Sequence, residues 1–383
     1  MYNTNMDWFT NPKQSDAKKW ITLLADATQR DRAAQELIRL GADAVPALME
    51  ALQTQDMGLL PVYQHILARI PAASPVLIKA LSDAHPLIRG RVAEIFSINK
   101  NKNAIPVLMD ALRGPYFTVR AKAAIALANM RETQAIPELL VLLKDPEDEV
   151  RIAACNAIGK FQDPSTFDEL ANVLLDDQKI EVRQAAVKAL GNSRNPAAVS
   201  FLMEALRDSF FWFEREQAVR DLLKAIEGMG ELVVEPLIDA LADREVTVRK
   251  FAAIILGRLR DARAIEELGM TLYDLHHEVS LAAAEALAQF GGAAIGVLGE
   301  ALRHPEAGVR EHAVIGLSRI QDVRVTSLLI EILTDPDRNV KRQAIQALGG
   351  LRDDRAKQAL QEVAANRSDR ELSTLAKQLL TDM

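Results

Sequence analysis

Residues 135–162 read AIPELLVLLKDPEDEVRIAACNAIGKFQ, and this stretch decides the fold. Ile136, Leu139, Leu140 and Leu143 recur at helical spacing around Pro137, which suits the first turn of a helix because its missing N–H is not needed there. Asp145-Pro146 then breaks the chain. A second helix is predicted from about Val150-Arg151, with Ala154, Cys155 and Ile158 on one face and a stop around Gly159. Neither helix can bury its apolar stripe alone, so the unit requires neighbours.

Those neighbours are copies of itself. The second-helix Arg recurs as Arg89, Arg120, Arg151, Arg183, Arg215, Arg249, then Ser280 in its place, Arg310 and Lys341. Weaker copies flank the series at Arg32, Leu60 and Leu372, giving about twelve two-helix units in a repeat read over residues 15–383. Residues 1–14 are polar and read as a tail or cap, with Trp8 and Phe9 available to cover the first core face. Three residues after the Arg stand Ala123, Ala154, Ala186, Ala218, Ala252, Ala283, Ala313 and Ala344; seven after it stand Leu127, Ile158, Leu190, Leu222, Leu256, Leu287, Leu317 and Leu348. With the residues four after the Arg, these columns share one helix face and are the predicted core. Six before the Arg stand Asp83, Asp145, Asp177, Asp243, Asp274 and Asp335, interrupted by Gly114, Ser209 and His304. An Asp in an inter-helix turn can accept from free backbone N–H groups and pair with a nearby Arg.

The pattern A-I-P-x-L-x-x-x-L-x-D…V-R-x-x-A-x-x-A-L-G resembles the HEAT-like repeats first associated with phycobilisome lyases, over nearly the whole chain. The resemblance implies an all-α, right-handed α-solenoid whose second helices line the concave side, with an Asp/Arg ladder along the turns. It is specific for fold and unspecific for function, since proteins with such repeats include bilin lyase subunits, phycobilisome-degradation factors, deoxyhypusine hydroxylases, DNA alkylpurine glycosylases and many scaffolds.

Composition narrows these classes. A net charge of −7, from 46 Lys+Arg against 53 Asp+Glu, argues against a generally basic nucleic-acid binder. The N-terminal residues MYNTNMDWFTNPKQSD lack a basic segment followed by an apolar run, and no stretch approaches a membrane span. One Cys allows no internal disulfide. The expectation is a soluble cytoplasmic protein.

No phosphate-binding Gly loop, Ser-His-Asp ordering or CxxC pair can be assembled, which favours a non-enzymatic reading without a cofactor. Cys155 lies in a column of Ala, Val and Ile and reads as a packing thiol. The hydroxylases of this fold imply a test for His-Glu dyads. His277-Glu278 is one, and it lies in a turn; Glu311-His312 has the order reversed. His276, His277 and His304 fall in successive turns, which stacked repeats place roughly 10 Å apart, so imidazoles could converge there, but too few carboxylates accompany them and no metal is expected.

Two features rise above the repeat. The first is Phe210-Phe211-Trp212-Phe213, four of the chain's eighteen aromatics in one inter-helix turn, where other units carry Asp, Glu and Pro. Part of this run is expected at the surface as a binding anchor. The register is ambiguous there, because Val219-Arg220 could replace Arg215. The second feature is a basic stripe. Positions two, five and nine after the Arg point away from the core at 100° per residue. They include Lys122, Lys160, Lys188, Arg220, Lys224, Arg258 and Arg319, interleaved with Phe251, Ile125, Ile254 and Ile315. The 27 positions sum to +6, so the rest of the chain carries −13. The sequence therefore predicts a scaffold that binds an acidic protein on its concave face. A phycobiliprotein-handling role is the alternative, with a metal-dependent hydroxylase or a DNA-binding solenoid behind it.

Overall fold

A computed structural model describes residues 12–207, 216–351, 353–366 and 368–382. Every regular element among them is helical, from Pro12–Leu23 to Arg370–Asp382. The first helix starts three residues before the repeat region was expected to begin. The chain divides into two compact units, residues 1–193 and 194–383.

The deciding stretch folds as two helices, Ile136–Leu142 and Asp148–Phe161. A 3-10 turn, Thr133–Ala135, leads into the first. Leu142 joins Leu139 and Leu143 inside, whereas Ile136 and Leu140 are only half-buried. The second helix outruns its expected limits at both ends, because Asp148 and Glu149 favour the N-terminal end of its dipole and Gln162 closes it in the left-handed region at φ 57°. The units pack as the columns require. All eight alanines three after the Arg are fully buried, and all eight residues seven after it are inside. Ala218 and Leu222 are among them while Arg220 is exposed, which fixes the register on Arg215.

Neighbouring second helices approach at small residues. A Cβ on Gly159 would lie 2.8 Å from Ala189 Cα, and one on Gly257 would lie 2.7 Å from Ala286 Cα. Neither site has room for a methyl group unless the helices separate.

Candidate functional site

The Arg and Asp columns form the expected ladder. Arg120 clamps Asp145 and Arg151 clamps Asp177 in the first unit; Arg249 clamps Asp274 and Arg310 clamps Asp335 in the second. Each clamp is bidentate, with Nε and Nη2 at 2.6–3.1 Å from the two carboxylate oxygens. The remaining Nη1 donates to a carbonyl of the Arg's own turn, as Arg151 does to Asp145 O at 2.8 Å. Each Asp in turn accepts the N–H two residues on, as Asp335 does from Asp337 at 2.8 Å. Burial alone would push Asp335 and Asp274 up, but the Arg hydrogen bonds and these N–H groups hold both below the ordinary carboxylate value. Where the next unit offers Gly114 instead of an Asp, Arg89 lies over the Tyr116 ring at 5.8 Å.

The exposed strip of the second helices is narrower than the sequence suggested. Most of the column two after the Arg is turned away from solvent: Arg91, Ala153, Ala185, Ala282 and His312 are buried, and Gln217 alone among the described members is exposed. Helical angles identify the side opposite the core, but each second helix also leans on the second helix before it, and this column lies in that contact. Lys122, half-buried there, pairs with Glu94 of the preceding unit. Phe251, in the same column, is half-buried. The columns five and nine after the Arg do reach solvent, with Lys160, Lys188, Arg220, Lys224, Arg258 and Arg319 all exposed.

Their surroundings differ. In the first unit, Lys160 and Lys188 border a shallow hollow of about 350 Å³ with Asn156, Asn192 and Ile125, floored by Ala128, Ala157, Gly159 and Ala189. Lys160 Nζ rests on the amide oxygen of Asn129 rather than on a carboxylate. In the second unit, Arg258 pairs with Glu227 at 3.3 Å and Arg319 with Glu285 at 2.6 Å, while Arg220 donates to Gln217. The hollow thus brings Lys160, Lys188 and two amides around a floor of small apolar residues. Phe210, Phe211, Trp212 and Phe213 lie outside the described residues.

Cys155 is fully buried, and burial, reinforced by the field of Asp177, pushes its thiol up to about 12. Such a thiol is inert at neutral pH. The turn histidines do not converge. His276 Nδ1 lies 3.2 Å from both Asp274 Oδ1 and Arg249 Nη2, and His304 stacks on Tyr273 with centroids 4.9 Å apart. His277 turns instead to His312, a residue the sequence had placed on the solvent side. Among the described residues no group of three or more His, Cys, Asp or Glu is placed to hold a metal, and no helix is long and apolar enough to cross a membrane.

Helix pairs stacked through their second helices and riveted by an Arg–Asp ladder define an α-solenoid. The family of HEAT repeats matches residues 74–143, 105–181, 136–222, 234–302 and 295–381, and the PBS lyase HEAT-like repeat matches residues 29–54. The chain belongs to the HEAT-repeat family. Among curated proteins none matches it. Solved structures similar to it include the karyopherin Kap121p bound to Nup53p, at 14% identity and a TM-score of 0.59 over 98% of this chain and 50% of that one. Kap121p bound to the extreme C-terminus of the protein phosphatase Cdc14p is similar at 13% identity and a TM-score of 0.60, again over 98% and 50%. Kap121p bound to Pho4p matches at 14% identity and a TM-score of 0.59, with the same coverage. The chain thus spans about half the length of these structures, and likeness at this identity speaks for the fold.

Proposed function

We propose that this HEAT-repeat chain is a non-enzymatic scaffold that binds an acidic protein on the exposed strip of its second helices. The observation that carries the reading is the hollow around Lys160 and Lys188, where Lys160 is held by the amide of Asn129 at the edge of an apolar floor. Charge at such a site steers an acidic partner, while Ile125 and the Ala-rich floor supply contact area. Kap121p, on the same fold, is solved with protein partners, which is consistent with a stack of this kind presenting a surface to another chain. Lys122, Arg220, Lys224, Phe251, Arg258 and Arg319 would extend the contact along the second helices of their own units, and the Phe210–Phe213 turn would act as an aromatic anchor. Cations so widely spaced are thin for phosphate-driven binding, which relies on dense clusters, so nucleic acid fits less well.

The test is capture of a partner from native lysate, with and without nuclease, followed by kinetics on the Lys160→Glu/Lys188→Glu variant. Surface changes of this kind usually cost within about 0.5 kcal/mol each, so folding is retained. Association should slow by about tenfold or more at low salt, with added salt reproducing part of the loss in the unmodified protein. A partner lost on nuclease treatment, or one bound equally fast by the variant, would remove the acidic-protein reading. The match of residues 29–54 to the PBS lyase HEAT-like repeat leaves one second reading, a phycobiliprotein-handling factor, for which bilin absorbance in the captured complex is the discriminating signal.

A further inference from the structure

One position of the ladder loses both partners at once. Where the second helix His277–Ala288 should carry an Arg it carries Ser280, and where the next turn should offer an Asp it offers His304. No ionic clamp can form there. The two repeats are instead joined through His312, two residues after Arg310 on the helix Ala307–Ser318, buried at 3% exposure against Ser280 at 2%.

The donors and acceptors of this joint admit one arrangement. Ser280 Oγ lies 2.6 Å from Leu272 O, which can only accept, so the single hydroxyl proton points there. His312 Nδ1, 2.7 Å from the same Oγ, must therefore donate to it. A neutral His312 then has a lone pair on Nε2, and that atom faces His277 Nδ1 at 2.8 Å, so His277 donates. The chain runs from His277 through His312 and Ser280 to a backbone carbonyl. The rings are tilted by 53° with centroids 4.4 Å apart.

The response of this chain to protons follows from its direction. His277 is exposed, so a first proton can enter at its Nε2 while Nδ1–H keeps donating. That charge strengthens the bond to His312. A second proton must enter at His312 Nε2, the acceptor, and then two N–H groups on two cations face each other across the joint. Ser280 offers no counter-charge.

The charged groups around the pair are already engaged. Glu311, beside His312, favours the cation but accepts from Gln343 at 3.2 Å. Glu278 is held by Lys250 at 2.7 Å, and His276 and Asp274 sit with Arg249. On the other side Arg310 is closed on Asp335.

We propose that the Ser280–His312–His277 joint is a proton-operated latch between two repeats, closed while at most one ring is charged and opened once both are. The ionic clamps on either side keep their charges through the same range, so opening is local to the contact between His277–Ala288 and Ala307–Ser318. Burial, and then His277, push His312 below its ordinary value, which sets the opening on the acid side of neutrality. The consequence is a solenoid with one acid-sensitive seam. Across that seam Arg319 of one helix meets Glu285 of the other, so the exposed strip changes where it opens.

The experiment is amide hydrogen exchange on the full chain at about pH 7.5 and about pH 5, corrected for the chemical exchange rate, with the six histidine ring signals followed by NMR across the same range. Segments 277–288 and 307–318 should lose protection by about tenfold or more on acidification, while 148–161 and 246–259 hold theirs. His312→Gln cannot take the second proton and should abolish the acid-induced loss. The triple variant Ser280→Arg/His304→Asp/His312→Ala, which rebuilds the clamp, should abolish it too. Loss of protection spread evenly over the chain, or an undiminished local loss in His312→Gln, would overturn the latch. So would unchanged protection in the unmodified protein while both rings titrate.

Discussion

Arg310–Asp335 and Ser280–His312 are joints one repeat apart between helices of the same kind, yet their chemistry differs throughout. The first closes two opposite charges, with side chains 9% and 3% exposed, into a fork of two bonds at 2.7 and 2.8 Å. The second uses neutral groups and a fixed direction of donation. The backbone packing beneath them is shared: Ala283 and Ala313 are fully buried, as are Leu287 and Leu317. The contrast shows that the small-residue columns hold the stack, while the turn position above them can be rewritten without changing the fold.

Three measurements can break or sharpen this contrast. The largest effect is expected from removing one half of the ionic joint. Asp335→Ala leaves a buried guanidinium without its counter-charge, a change that typically costs about 3–5 kcal/mol. His312→Ala removes two neutral hydrogen bonds and leaves one hydroxyl acceptor empty, which should cost about 1–3 kcal/mol. Denaturant unfolding of the full chain measures both, with an intermediate expected because damage in a repeat stack begins locally. Equal costs would mean that the two joints do the same mechanical work.

The next effect tests the shared part. Gly316→Ala lies between the helices of the neutral joint, and Gly159→Ala lies beside the Arg151–Asp177 clamp. A Cβ on Gly316 would lie 2.9 Å from Ala284 O and one on Gly159 2.8 Å from Ala189 Cα, so a methyl group at either must push its neighbours apart and both should lose about 1–3 kcal/mol. A loss at only one of them would show that the polar joint, and not the backbone approach, sets the spacing there.

The smallest effect concerns acid. His312 titrates below 6.5 in the folded chain, so folding favours its neutral form. Its contribution is complete above 6.5 and fades as pH falls from there toward its lowered value. Asp335 and Asp274 lie below 3.8, so their contributions are complete above 3.8 and are lost only as pH falls through their lowered values. The denaturation midpoint should therefore fall in two separate stages, and His312→Gln should lack the earlier one. A single stage in the unmodified protein would place the histidine joint outside the cooperative unfolding unit.

Much of this fold was legible because the repeat multiplies weak signals. One Arg six residues after an Asp means little, but nine aligned copies gave the ladder, the alanine face and the buried leucines. The exposed strip was less legible. Angular spacing fixes which side of a helix opposes the core, yet it carries no information about which flank a neighbouring helix covers, so the column of Arg91, Ala153 and His312 was assigned to solvent. The joint at Ser280 was harder still. Its partners, His277 and His312, occupy different columns of the repeat, and only the stacking of one unit on the next brings them within 2.8 Å. The double departure at Ser280 and His304 was the available signal, and it marked the place without revealing what fills it.

The helix ends hold one further consequence. Arg131, Gln162 and Arg260 sit at φ values of 54–58°, a backbone region that favours glycine, and each reaches forward to the same region of the following unit. Arg131 meets Lys160 O, Gln162 meets Asn192 O and Arg260 meets the Gln289 side chain. Like the ladder Arg, these side chains give in one direction only, so each of these units carries a complementary front and back. A duplicated unit would arrive with both halves of each fitting in phase, whereas the insertion of half a unit would strand both. Such a chain can lengthen or shorten during evolution by whole units, and the 31-residue interval from Arg89 to Arg120, and again from Arg120 to Arg151, is the step size which that bookkeeping preserves.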